Sequence, residues 1–196
     1  GDLLGRFFEV YAQRVDRGRR RELGQYYTPM PIVRAVWRLA MEVVEEHDAA
    51  DQLVVLDPGV GSGTFLLEGA RRLQGAAVPQ FWTRLNGFDI APQVIGVAQV
   101  NLYLTVLGLL DRTQADAVGS LHLYPTDTLD PSNGGQLRSL LNLLTDDAIR
   151  LFINNRITLS EQVKRQARFP LVIGNPPYKH NSNRTLAQMA ERFPTL

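Results

Sequence analysis

Leu53-Val54-Val55-Leu56-Asp57-Pro58-Gly59-Val60-Gly61-Ser62-Gly63-Thr64 is the stretch whose reading decides the fold. Its first four residues are an unbroken apolar run with a β-branched pair, closed by a Pro-Gly turn. That is the pattern of a parallel strand buried on both faces. The glycines let the backbone turn sharply and let a ligand approach without a Cβ in the way. Residues 64–74 then read as a helix. A strand, a glycine-rich turn and a helix in direct succession form the first half of a βαβ unit.

Towards the C-terminus the alternation continues. Residues 85–90 read as a second strand, Pro92 opens a long helix to about 110, and 121–124 and 171–173 read as third and fourth strands. Strands alternating with helices predict right-handed crossovers and an α/β fold: a doubly wound, mainly parallel, Rossmann-like sheet with helices on both faces. Such sheets bind ligands beyond the carboxyl ends of their strands, and those ends carry Asp57, Asp89, Asp127 and Asn175. Between 130 and 168 the pattern is less regular. Ser132-Asn133-Gly134-Gly135 is a flexible turn. Leu137, Leu140, Leu141 and Leu144 suit one amphipathic helix, and 160–168 another. The connection is long for a simple crossover, and a helical cover for the sheet edge is expected.

Towards the N-terminus, 30–46 reads as a helix, with Pro29 and Pro31 tolerated in its first turn and Thr28 or a neighbour as its cap. Ile32, Ala35, Val36, Leu39 and Val43 form an apolar stripe beside Arg34, Arg38, Glu42 and Glu45. Residues 2–15 suit a short helix, and Gly18 with the arginines around it breaks it. The expected organisation is a helical, basic segment over 1–24 and one core over 25–196.

Composition narrows the function classes. A chain of 196 residues with 44% hydrophobic and 21% charged residues suits one domain with a real core. Zero cysteines exclude a disulfide framework and cysteine-ligated zinc, and a cytoplasmic location is expected. No run of transmembrane length and no signal pattern is read, so no membrane role is expected. A formal charge of +1 gives no dedicated nucleic-acid surface. Arg14, Arg17, Arg19, Arg20 and Arg21 do crowd one stretch, as a solvated helix end or as a phosphate contact.

Two cofactor classes compete for the glycine loop. A nicotinamide fingerprint needs a third glycine three residues after the second, and counting from Gly61 lands on Thr64. Asp57 also needs a partner, and a cofactor with a positive amino group supplies one. S-Adenosyl-L-methionine has such an amine; NAD does not. Asp89 suits a ribose diol under either reading. Ile90 suits one face of an adenine ring, and Asp127 its amino group. Each aspartate alone is also an ordinary loop or cap residue; together with the glycines they describe a site.

Gly174-Asn175-Pro176-Pro177-Tyr178 follows the last strand. Two prolines cannot extend a sheet, since neither has an N–H to donate. They stiffen the turn, and Pro176 biases Asn175 to an extended shape. The Asn175 side-chain oxygen and the Pro176 carbonyl then suit the two hydrogens of one amino group. An exocyclic base amine is a poor nucleophile because its lone pair is conjugated into the ring. Two acceptors off the ring plane favour a pyramidal nitrogen and stabilise positive charge as it grows. Tyr178 suits stacking on the base. The chemistry needs no metal and no covalent nucleophile, but a base within a duplex must be flipped out to reach such a turn.

These residues together resemble the amino-methyltransferases, in particular DNA adenine-N6 methyltransferases of restriction-modification and phage-defence systems, in which the cofactor motifs precede the catalytic tetrapeptide. The resemblance spans 24–178. It implies S-adenosyl-L-methionine as cofactor. Gln25-Tyr26-Tyr27-Thr28-Pro29 matches the N-terminal cofactor motif, with Tyr27 and Thr28 at the cofactor and Thr28 near its carboxylate. Asp57, Pro58, Gly59, Gly61 and Gly63 match the main cofactor loop, Asp89 and Ile90 the ribose and adenine positions, and Asp127 the adenine-amine position. Asn175, Pro176, Pro177 and Tyr178 match the catalytic tetrapeptide. The implied partner is DNA with a flipped adenine, reached in an enzyme with target-recognition, helicase or nuclease modules. The family normally continues through further strands and a target-recognition domain, so a piece of a larger enzyme is expected, one that binds cofactor weakly and selects no DNA sequence alone. Related enzymes that modify protein glutamine or ribosomal RNA guanine share the acceptor logic, though the Tyr27-Thr28-Pro29 element disfavours them. A non-catalytic cofactor-binding scaffold is a further alternative.

Overall fold

The computed structural model describes residues 28–47, 53–78, 80–128, 138, 142, 145–166 and 168–175. The expected helix at 2–15, the arginine cluster, the 1–24 segment and most of the leucine-rich stretch at 137–144 lie outside these residues.

Helix α1 (Met30–Glu46) leads into β1 (Val55–Asp57) and α2 (Thr64–Gly75). A 3-10 turn (Phe81–Arg84) precedes β2 (Leu85–Asp89), which is followed by α3 (Pro92–Leu109) and the short α4 (Arg112–Ala115). Strand β3 (His122–Pro125), helix α5 (Asp147–Gln166) and strand β4 (Leu171–Val172) complete the order. The four strands pair in the order β3-β2-β1-β4, all parallel. Asp57 is aligned with Gly87, and Asp89 with Pro125. The chain steps one way from β1 to β3 and then returns to the far side of β1. The switch point therefore falls between β1 and β4, where a doubly wound sheet opens its ligand crevice.

The alternation of side chains across the strands builds two layers. Val55, Leu85, Leu123 and Ile173 join the main core, with Phe65, Leu66, Leu73, Ala98, Leu102 and Val106 from α2 and α3. Leu56, Phe88 and Tyr124 pack on the opposite face with Val163 of α5 and Phe169. The helix expected over 160–168 is longer and begins at Asp147, and it covers a sheet face rather than the edge. Leu56 and Phe88 alternate with core-facing neighbours, and that second apolar surface requires a cover of its own. Strand limits differ from the sequence expectation by one or two residues, the usual uncertainty at element ends.

Helix α1 corrects the sequence reading more deeply. Ile32, Leu39 and Val43 are 53%, 60% and 55% exposed, whereas Val33, Trp37 and Val44 are buried. Trp37 sets the face: its ring is fully buried and its Nε1 donates to Phe65 O at 2.8 Å. Of the expected stripe, Val36 does pack against the core and Ala35 is half-buried, but Ile32, Leu39 and Val43 fall outside the face that the tryptophan sets. Of Thr28 and its neighbours, it is Pro29 that takes the N-cap position of α1, without a side-chain hydrogen bond. Helix α3 also departs from expectation: it is 18 residues without a charge, long and apolar enough to cross a membrane by length and composition. As a crossover helix it buries Ala98, Leu102 and Val106 fully against the sheet and α2, while Val100, Tyr103 and Leu104 on its outer side are exposed.

Gly69 is the point at which α1 docks. A Cβ there would lie 2.6 Å from Trp37 Cζ2 and 3.2 Å from Leu85 Cδ2. Gly69→Ala is therefore expected to destabilise the fold by about 1–3 kcal/mol, the typical cost of overpacking. Urea denaturation checks this, and an unchanged midpoint would show that α1 does not hold Trp37 against α2.

Candidate active site

The turn after β1 is built by its glycines. Gly61 and Gly63 adopt φ of +52° and +94°, values that favour glycine over residues with a Cβ. Gly63 also lies close to α3, where a Cβ would sit 3.6 Å from Ala98. Val60 N donates to Phe88 O at 2.8 Å, and Asn101 Nδ2 of α3 donates to Ser62 O at 3.0 Å. The loop is thus tied to β2 and to α3.

Asp57 is 1% exposed at the end of β1. Its Oδ1 accepts from Gly59 N at 3.1 Å. Burial pushes its carboxyl up to about 7; the Gly59 hydrogen bond pulls it down, and the like charge of Asp89 raises it further. Gly174, which follows β4, lies against the same carboxylate. A Cβ there would stand 2.5 Å from Asp57 Oδ1, so glycine is what lets the two sides of the switch point meet.

Asp89 ends β2. Its Oδ2 accepts from Gly61 N at 3.1 Å and its Oδ1 from Ala91 N at 2.9 Å. Burial raises its carboxyl and these backbone bonds oppose the shift. Each carboxylate oxygen has a second lone pair, so these bonds leave acceptor capacity for a diol. Ile90 packs towards α5, beside Ile153 and the buried Ile157. The turn after β3 closes on the other two. Thr126 N donates to Asp89 O at 2.8 Å, and Thr128 Oγ1 to Pro58 O at 2.7 Å. Asp57, Asp89 and the turn carrying Asp127 therefore meet along one sheet edge, as the sequence leads one to expect.

Asn175 brings in a residue from far upstream. Its Nδ2 donates to Thr28 Oγ1 at 3.1 Å, across 147 residues of sequence. That bond orients the amide, with Oδ1 as its remaining acceptor. The N-terminal motif and the tetrapeptide are thereby adjacent at Thr28 and Asn175. Tyr27, Pro176, Pro177 and Tyr178 lie outside the described residues. Sequence reasoning missed the supports: Asn101, Thr126, Thr128, Glu161 and Lys164. Only the threonines flanking Asp127 offered a signal.

The fold and the cluster define a class: a Rossmann-like α/β domain with a glycine-rich turn and acidic residues at its switch point. The family described as N-6 DNA Methylase matches residues 1–117, and the chain belongs to that family. Three solved structures share the fold. The cryoEM structure of a DrdV–DNA complex superposes with a TM-score of 0.66 at 23% identity, covering 94% of this chain and 17% of that one. The ATP-dependent Type ISP restriction-modification enzyme LlaBIII bound to DNA gives 0.62 at 18% identity, over 92% of this chain and 12% of that one. A nuclease-deletion mutant of the Type ISP enzyme LlaGI, in complex with a DNA substrate mimic, gives 0.59 at 19% identity, over 82% and 13%. The chain thus spans less than a fifth of each of these proteins. The family match ends before β3, so Asp127 and Asn175 stand on the geometry above.

Proposed function

We propose that this chain transfers a methyl group from S-adenosyl-L-methionine to the exocyclic N6 amine of adenine in DNA, as the methyltransferase core of a restriction-modification or related defence enzyme. The observation that carries this is the Asn175–Thr28 contact beside the buried Asp57 carboxylate. The residues suit the cofactor. Asp57 is a buried carboxylate that a bound ammonium would keep ionised, and it would repel the pyrophosphate of a nicotinamide dinucleotide. The backbone at Gly59, Gly61 and Gly63 leaves room for the cofactor, Asp89 takes the ribose diol, Ile90 lines the adenine, and Asp127 takes its amine. Pro58 and Tyr27 complete that set. Bound there, the cofactor supplies an electrophilic methyl group on sulfur.

The protein's contribution lies at the amine. Asn175 Oδ1 and the Pro176 carbonyl accept its two hydrogens, and Tyr178 stacks on the flipped base, with Pro177 stiffening the turn. Acceptors placed before reaction stabilise charge that develops only in the transition state. Other modules of a longer polypeptide, for target recognition, DNA translocation or cleavage, would bring the DNA to this site. Tritiated methyl transfer, offered DNA, RNA and protein in parallel, tests the proposal. Label in DNA is expected. Label in protein or RNA would favour the glutamine or guanine chemistry, and cofactor binding without transfer a scaffold.

The raised Asp57 carboxyl predicts a pH dependence. Between its usual 3.8 and about 7 the folded chain binds more protons than the unfolded one, so Asp57's stability contribution falls as pH rises through that window. Binding an ammonium group expels the proton. Affinity for S-adenosylhomocysteine is therefore expected to rise by up to about tenfold per pH unit below that carboxyl's value, and to flatten above it. Titration calorimetry in buffers of different ionisation enthalpy measures the proton released. Asp57→Asn should abolish the dependence; a flat wild-type profile would remove Asp57 from the amine.

A further inference from the structure

Helix α5 does more than cover the sheet. Near its C-terminal end Glu161 and Lys164 stand one turn apart, both largely buried, with Lys164 Nζ 3.4 Å from Glu161 Oε1. Both reach the turn after β3. Thr126 Oγ1 donates to Glu161 Oε1 at 3.0 Å, and Lys164 Nζ donates to Asp127 O at 2.8 Å. Thr126 is itself 1% exposed. A buried ion pair is a weak source of stability compared with apolar residues of the same volume. Satisfied by the groups of one turn, it fixes geometry instead.

We propose that Glu161 and Lys164 are positioning residues that hold the Thr126-Asp127-Thr128 turn where it distinguishes adenine from other purines in the cofactor. The inference rests on the reading of Asp127 as the adenine-amine acceptor. The pair grips the turn from the α5 side, while Asp89 O and Pro58 O grip it from the cofactor-loop side. Selectivity for the purine's six-position is thus set partly by a helix that reaches this turn through Glu161 and Lys164.

Titration calorimetry of the chain with S-adenosylhomocysteine and S-inosylhomocysteine, which carries a carbonyl in place of the amine, provides the test. Wild type is expected to prefer the adenine compound. Lys164→Met is expected to shrink that preference by on the order of tenfold, through loss of affinity for the adenine compound. Lys164→Arg keeps a charged donor and should restore most of it. Thr126→Val cuts the other tether from the turn's side and should act in the same direction, which keeps the test decisive if Lys164→Met fails to fold. An equal loss for both compounds, or an unchanged preference, would overturn the inference while leaving the proposed function standing. A wild-type chain that binds neither compound would overturn both.

Discussion

Asn175→Ala is expected to lower kcat for methyl transfer by about 10²- to 10³-fold, the usual cost of deleting one preorganised hydrogen-bonding group at a developing charge. The dissociation constant for S-adenosylhomocysteine should change little, because Asn175 is assigned to the amine and not to the cofactor. The structure gives the reason for so large an effect. Asn175 is anchored through Nδ2 to Thr28, so its amide needs no reorientation when an amine arrives. Alanine removes the acceptor and leaves Thr28 without its donor. Single-turnover methylation separates the chemical step from binding. A variant that weakened cofactor binding and left the chemical step intact would move Asn175 out of the reaction centre.

Asp57→Ala is expected to weaken S-adenosylhomocysteine binding by roughly 30-fold to several thousand-fold, the span of about 2–5 kcal/mol for truncating one member of a buried charge pair. The carboxylate lies under Gly174 and is held by Gly59 N, so little freedom is lost when an ammonium group docks. Asp57→Asn keeps an acceptor for Gly59 N and removes the charge. It should retain the fold and still lose most of the affinity, which separates a charge effect from a collapse of the turn. Calorimetry beside a thermal melt reads both. Full affinity in Asp57→Asn would mean that the amine binds elsewhere.

The sheet was legible in the sequence because short, largely apolar segments are followed, at the strand end or within three residues of it, by a polar residue. Asp57 and Asp89 close β1 and β2, and Asn175 follows β4. What could not be read were relations between distant segments. Part of the apolar stripe of α1, Ile32, Leu39 and Val43, faces outward because Trp37 sets the buried face by its bond to Phe65 O, a contact across 28 residues. Thr28 suited a helix cap by local pattern, whereas its partner is a side chain 147 residues away. The segment now seen as α5 showed no sharp periodicity, because its buried side includes Ser160 and Glu161 as well as Ile157. Polar residues that support a neighbouring turn look, in sequence, like a solvated face.

The central claim is that the Asn175 turn activates the N6 amine of adenine in DNA. It is tested most directly by incubating DNA with the protein and methyl-deuterated S-adenosyl-L-methionine, digesting to nucleosides and weighing the products. The expected result is deuterated N6-methyl-2′-deoxyadenosine, strongly reduced for Asn175→Ala. Deuterium on another base, or none in DNA while protein or RNA carries it, would contradict the account.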